Sequence, residues 1–547
     1  MRLATPLWLF LLLAAIALAL GIASPTGLTG KDEYLLGLRI PLEMMERDAW
    51  WIPFIDGEPR LKKPPFIYWL GRASYETFGP SLAAGRAITV AFSLLLIVTT
   101  AWCARRLSGR FSGQWTDDRL AGLLAAGALL GMSGMASESR RLMLDMPVAA
   151  LATAAFCLYW SWLEKPRWSA LLGAAALLSA ALLTKGPAAL VILGAGVLAL
   201  LLTRRELWQP LLTRLPQQVI LAAAALALPV FWYADVRSRH GAQLAAAAEH
   251  ELEARGLWNV SADAAIGIVT LALPWSFVAL HALWTRRHEP CSRFLGLWLL
   301  LSLLPFFFIH VFDRYLLGAL VPLAIVCGLA LQAGTPPAWT RRLGSLAPAA
   351  LALALCLLLW RWNRDMGGGW WLLAPALGYF VWTWWRTSTT PASLIVSAAQ
   401  LWAVGLGAAF PALGVNAVPQ AVLDLVQNRP VTLFMGPQPA LLPALAGRAL
   451  HQTSKLTARD VTPGSLIAVR NEDVPALAAQ MLTLGVTPAP SQGIPLRITF
   501  RYSALTSAGS GIRFARQGAS VEDWKAAWIA RSPAPLESTI RIFEVKP

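Results

Sequence analysis

Charge is scarce in this sequence. Asp, Glu, Lys and Arg together make 14% of the 547 residues, where a soluble chain carries about 25%. A water-facing globular surface of this size is excluded by that shortage alone. Cysteine is also rare, at five residues. Cys103, Cys157, Cys291, Cys327 and Cys356 fall in apolar runs or short basic loops with no metal-ligand spacing, so neither a disulfide framework nor a zinc site is expected. There is no internal repeat and no low-complexity tract, and the part after residue 412 has no Gly-rich phosphate loop and no Ser/His/Asp arrangement.

What the chain has instead is hydrophobic length. Apolar residues make 56% of it, in runs of about 20 that mark helices able to cross a bilayer. A barrel would show alternating segments of about 10 residues. Thirteen candidate spans lie near 6–24, 84–104, 119–137, 146–163, 168–184, 186–203, 217–236, 263–284, 294–311, 314–332, 344–362, 369–387 and 392–412. The first is read as a retained helix, since Met1-Arg2 is a weak basic start and no small-x-small cleavage site follows.

The formal net charge is +16, a balance that often means nucleic acid. Here the basic residues sit in short loops between spans, which fits a bilayer surface and anionic lipid ligands better. Arg105, Arg106, Arg110 and Arg119 share one loop. Lys165 with Arg167, Arg204 with Arg205 and Arg214, Arg286 with Arg287 and Arg293, and Arg341 with Arg342 make the others. All fall on one side if the spans alternate from a cytoplasmic N-terminus. The 26 Trp residues, many near span ends, read as interfacial anchors.

The opposite face receives a long loop at 25–83, the segment 138–141, a second loop at 237–262, and Phe312-Asp313-Arg314-Tyr315. These mix acids with bases, and loops held by a rigid scaffold are where sites form. After residue 412 the pattern changes. Segments 430–435, 465–469, 496–500 and 539–545 alternate like strands, and 474–484 and 521–531 are periodic like helices. The expected organisation is a transmembrane catalytic unit, 1–412, followed by a small soluble α/β domain, 413–547.

Several residues can carry chemistry on the mixed-charge face. Asp32-Glu33 directly follows the first span, where a carboxylate is suited to general-base work beside a lipid head group; the bland alternative is a solvated loop. Asp145 sits where a helix starts, which fits a helix cap and equally a functional carboxylate at membrane depth. Lys62, Lys63, Lys185, Arg255 and Arg314 are cations able to converge on a phosphate, although Lys185 alone fits a snorkelling anchor.

Assembled in order, these residues resemble the GT-C glycosyltransferases that use polyprenyl-phosphate sugars, in particular the lipid A aminoarabinose transferases and the protein O-mannosyltransferase relatives. The resemblance rests on Asp32-Glu33, Lys63-Pro64 with Tyr68-Trp69, Leu144-Asp145-Met146-Pro147, Thr184-Lys185-Gly186, Glu251 with Arg255, Leu273-Pro274-Trp275 and Arg314-Tyr315-Leu316-Leu317. The chain departs from the aminoarabinose transferases at Tyr34-Leu35-Leu36, Lys62 and Gly318.

The resemblance implies a polytopic α-helical fold of the GT-C type and an inverting sugar transfer from a polyprenyl-phosphate carrier. The implied acceptor is a periplasmic glycolipid such as lipid A, with a protein hydroxyl as the alternative and a lipid-linked sugar transporter as a third reading. Asp32 would be the general base, Asp145 would support or orient the acceptor or the sugar, and Glu33 would complete the catalytic set. Lys63, Lys62, Arg255, Arg314 and Lys185 would hold the donor phosphate, and Tyr68 and Tyr315 would line the pocket. No cofactor is required, although carboxylates beside a phosphate can bind a divalent cation. The implied location is the bacterial inner membrane, N-terminus cytoplasmic and C-terminal domain periplasmic.

Overall fold

A computed structural model describes residues 7–29, 33–111, 118–253, 258, 260–310, 312–362, 369–414, 417–436, 441–486, 496–500, 515 and 518–545. Its first part is a helical bundle. The helices are α1 (Leu7–Ala19), α2 (Arg39–Glu46), α3 (Phe66–Phe78), α4 (Leu82–Phe111), α5 (Asp118–Leu130), α6 (Ser133–Glu138), α7 (Asp145–Glu164), α8 (Trp168–Thr203), α9 (Trp208–Thr213), α10 (Leu215–Glu253), α11 (Asp263–Leu271), α12 (Ser276–Thr285), α13 (Pro290–Leu303), α14 (Leu320–Ala333), α15 (Ala338–Arg361), α16 (Trp370–Trp385) and α17 (Pro391–Val404). Among the described residues eight helices are long and apolar enough to cross a membrane, or nine if the bent pair α11 and α12 is one span. The chain is a multi-pass membrane protein. Length alone does not reproduce the expected thirteen spans, because α1, α5 and α16 have only 13, 13 and 16 residues and α8 counts once.

Helix α8 shows how proline and lysine shape the bundle. Its 36 residues would reach about 54 Å if straight. Its start follows closely on the end of α7, and Arg204, just past its end, lies 3.5 Å from Glu164 at that same end. Its middle residue Lys185 contacts Asp145 at the far end of α7. The helix therefore folds back on itself at Lys185, whose φ of −159° and ψ of 75° leave the helical region. Pro187 follows, in the first turn of the second arm, where its missing N–H is no loss. The expected spans 168–184 and 186–203 are the two arms of this hairpin.

Two other spans differ from expectation. Residues 237–253, expected as loop, continue α10 beyond a break at His240, because the run 242–248 is rich in alanine, the best helix former. The single span expected at 263–284 is bent by 108° between α11 and α12, where Pro274 cannot donate to the helical ladder.

The two ends of the bundle differ in chemistry. At one end Arg106 and Arg204 pair with Glu164, Arg105 with Asp118, and Arg214 donates to the carbonyls of Trp162 and Leu163. The other end gathers Asp145, Lys185, Arg314, Glu33 and Arg86. Between them the core is closed by tilted and edge-on rings of Phe156, Trp160, Phe294 and Trp298, an arrangement that adds to simple area burial.

A short hairpin, β1 (Phe54–Ile55) and β2 (Glu58–Pro59), lies in the 25–83 loop. The C-terminal sheet contains β3 (Val431–Phe434), β4 (His451–Thr453), β5 (Leu466–Arg470), β6 (Leu496–Phe500) and β7 (Ser538–Glu544) in the order β4-β3-β5-β7-β6. Pairing is parallel among β4, β3 and β5 and antiparallel among β5, β7 and β6. Helices Val474–Thr483 and Val521–Ala530 accompany it. Strand β4 was not anticipated from sequence. Arg39 of α2 clasps this unit. It pairs with Asp56 and Glu43 and donates to Leu450 O at 2.8 Å and Gln452 Oε1 at 3.2 Å. Asp56 in turn accepts from Gln452 N, and Glu46 from Ala449 N.

Candidate active site

Asp145 is the first residue of α7, yet it does not cap the helix. Leu144 is the N-cap and no side chain closes it. The Asp145 carboxylate turns instead to two cations. Lys185 Nζ lies 2.5 Å from Oδ1 and Arg314 Nε 3.1 Å from Oδ2. Asp145 is 4% exposed, Lys185 8% and Arg314 7%, so Lys185 does not snorkel to water. Its ammonium sits 3.3 Å from the centre of the Tyr315 ring. The Arg314 guanidinium lies over Phe312 and Tyr315 at 4.8 and 5.7 Å. These contacts are cation–π attractions that strengthen with desolvation.

Each group reaches this point for a local reason. The reversal in α8 aims Lys185 toward the start of α7. Arg314 and Tyr315 open a 3₁₀ segment, Asp313–Ala319, that enters α14. One carboxylate thus faces two buried cations, and the excess positive charge favours an incoming anion.

Lys63 belongs to the same neighbourhood. Its charge acts on both Asp145 and Lys185, and its Nζ lies 2.8 Å from Glu251 Oε2 on the second arm of α10. Beside it, burial, and then the charges of Arg60 and Lys63, lower the Lys62 pKa, with Glu251 opposing them. Clustered like charges of this kind are relieved when an anion binds. Tyr68 is fully buried among Ile40, Met44, Ile67 and Leu144, the residue that precedes Asp145 in sequence.

Asp32 and Arg255 lie outside the described residues. The residue after Asp32 is placed. Glu33 follows Asp32 and is completely buried. Its carboxylate accepts from Arg86 Nε at 2.8 Å, Arg86 Nη2 at 3.1 Å, the Thr29 hydroxyl at 2.7 Å and Leu142 N at 3.0 Å. Four donors on two oxygens suit a fixed structural carboxylate, which ties the stretch after α1 to α4 and to the approach of α7.

Further contacts hold the same frame. Gly37 passes so close to Leu142 that an added Cβ would meet its carbonyl oxygen at 2.0 Å. Burial, with the Glu33 charge adding, raises the Tyr75 pKa, so its hydroxyl stays neutral near Leu38 O. Arg140 donates to Ala17 O and Leu20 O at the end of α1, and burial brings its pKa down to about 10, still charged at neutral pH.

Arg86 was not singled out from sequence. The available signal was an ionised residue within an apolar run, at membrane depth, where charge is costly. Two cavities lie away from these groups. One of about 170 Å³ is lined by residues such as His281, Thr285, Arg286 and Thr335. The other, about 140 Å³, is apolar and lies among α15, α16 and α17. Among the described residues no group of three His, Cys, Asp or Glu is arranged to hold a metal.

Comparison with known proteins adds three findings. The profile of the family described as dolichyl-phosphate-mannose-protein mannosyltransferase matches residues 37–244. The undecaprenyl phosphate-alpha-4-amino-4-deoxy-L-arabinose arabinosyl transferase of Pseudomonas paraeruginosa is 29% identical over 349 residues, a match covering 59% of this chain and 59% of that protein. The chain thus spans about three-fifths of that relative. The crystal structure of ArnT from Cupriavidus metallidurans bound to undecaprenyl phosphate superposes with a TM-score of 0.69 at 17% identity, covering 86% of this chain and 94% of that one. Its apo form gives 0.66 at 18%. The fold is that of the GT-C glycosyltransferases.

Proposed function

We propose that this chain, built on the GT-C fold, is an inverting glycosyltransferase that takes a sugar from a polyprenyl-phosphate carrier and attaches it to a glycolipid of the lipid A class. The observation that carries this reading is the buried Asp145 held between Lys185 and Arg314, with Lys63 acting on the same group. A cationic cluster at the end of a membrane bundle suits a lipid-borne phosphate, whose tail stays in the bilayer. The names of the relatives supply the carrier class, undecaprenyl phosphate, by analogy, and the glycolipid acceptor follows from the sequence resemblance.

In this mechanism Asp32 removes the proton from the acceptor hydroxyl. The oxygen attacks the anomeric carbon from the face opposite the phosphate, and the bond from that carbon to the phosphate oxygen breaks. The electron pair leaves with the carrier phosphate, which Lys63, Lys185, Arg314 and Arg255 stabilise, with Lys62 at the edge. Asp145 orients Lys185 and Arg314, and Tyr68 and Tyr315 wall the pocket. Glu33, gripped by Arg86, is tied to α4. The enzyme works in the bacterial inner membrane, with its N-terminus cytoplasmic and the C-terminal unit periplasmic.

The mannosyltransferase profile over residues 37–244 favours a second reading, in which the acceptor is a protein hydroxyl. Mass analysis of lipid A and of envelope proteins, from cells with and without the chain, separates the two. The first reading expects lipid A to gain one sugar mass; a sugar gained only on protein establishes the second. No sugar gained on either removes both.

A further inference from the structure

The helix Val521–Ala530 carries hydrophobic surface that the C-terminal sheet does not use. Its inner side buries Ala527, and its start is fixed by a capping box between Ser520 and Asp523. Val521 and Ile529 are 70% and 77% exposed, and Trp528 is exposed as well. Together with Trp524 these residues recur at i, i+3, i+7 and i+8, one stripe of a helix. Lys525 lies within the stripe, on a stem long enough to carry its charge out to the head-group level.

The place of this helix decides what covers the stripe. Trp362, at the end of α15, donates its indole N–H to Ala527 O, and its ring stacks on Trp524 with centroids 6.3 Å apart. Arg361 donates to Trp528 O at 2.8 Å and lies over the Trp528 ring at 5.1 Å. The helix is therefore pinned where α15 leaves the membrane. Exposed Leu353, Leu357 and Trp360 lead up to this point along α15, and exposed Trp370 and Trp371 begin α16 beside it. Such Trp residues mark the membrane–water boundary. The stripe thus lies beside the end of α15, whose own exposed residues are apolar.

We propose that the helix Val521–Ala530 lies in the head-group region of the leaflet on the side of the C-terminal unit, with Val521, Trp528 and Ile529 against acyl chains. The occupant of this face is bilayer lipid. Attachment there, together with the Arg39 clasp, holds the C-terminal unit against the membrane surface at two separate points.

The test uses the full-length chain in nanodiscs of phosphatidylcholine and phosphatidylglycerol. The five native cysteines are buried, so a thiol-reactive bimane probe reports on Val521→Cys or Ile529→Cys alone. Both positions are exposed, so neither substitution removes core packing. Lipid carrying a doxyl group near its head group is expected to quench both probes at least about threefold more than lipid without it, with aqueous iodide having little effect, given the depth at which interfacial helices sit. Strong quenching by iodide at both positions, with no effect of doxyl lipid, would overturn the proposal.

Discussion

Lys185 Nζ lies 2.5 Å from Asp145 Oδ1, joining the turn of one helical hairpin to the first residue of the helix beside it. Both groups are out of water, and Arg314 completes the cluster. Removing one member of a buried pair leaves an uncompensated charge, at a cost of about 3–5 kcal/mol. Asp145→Asn should therefore lower the melting temperature in detergent and abolish transfer. Adding Lys185→Met should recover part of the stability and none of the activity. A double variant no more stable than Asp145→Asn would show that the two groups are not energetically coupled.

Asp32→Asn should lower sugar transfer by at least about 100-fold, the usual contribution of a general base. Abundance and membrane insertion should stay unchanged. The measurement is turnover with a polyprenyl-phosphate sugar in proteoliposomes. Unaltered turnover would remove Asp32 from the mechanism.

Arg86→Met should destabilise the fold by about 3–5 kcal/mol, because it would leave the buried Glu33 carboxyl without its partner. Arg86→Lys should recover part of this, since a single ammonium cannot reproduce the fork that meets both Glu33 oxygens. Thermal unfolding of the three proteins checks the order. Equal melting of wild type and Arg86→Met would mean that Glu33 does not depend on Arg86.

Arg39→Met removes a buried cation shared by Glu43, Asp56, Leu450 O and Gln452. The expected outcome is an intact membrane bundle whose C-terminal unit is cut about tenfold faster by protease, through local opening. Cleavage at the wild-type rate would show that this clasp does not hold the unit in place.

The fold was legible where a residue's character is set by its immediate neighbours. Long apolar runs marked the spans, and the break at Lys185 was visible as Lys-Gly-Pro between two of them. Alternation after residue 412 gave four of the five C-terminal strands. The fifth, β4, has only three residues, too few to alternate. The extension of α10 past His240 was hidden by a polar sequence that reads as loop, although its alanines favour helix. In the candidate site, Asp145, Lys63, Lys185 and Arg314 were visible as charges in apolar surroundings. Their pairing was not, because Asp145 and Lys185 are 40 residues apart in sequence and only the folded-back α8 brings them together. The same holds for Arg86 and Glu33, which are 53 residues apart in sequence.

The most direct measurement is equilibrium binding of undecaprenyl phosphate to the purified chain and to Lys63→Met. Lys63 is partly exposed and pairs with Glu251 at the edge of the cluster, so its loss spares the fold. If the cations around Asp145 hold the carrier phosphate, Lys63→Met should bind at least about tenfold more weakly, the order expected for one charge-assisted contact. Affinity equal to wild type in a stably folded Lys63→Met would contradict the account.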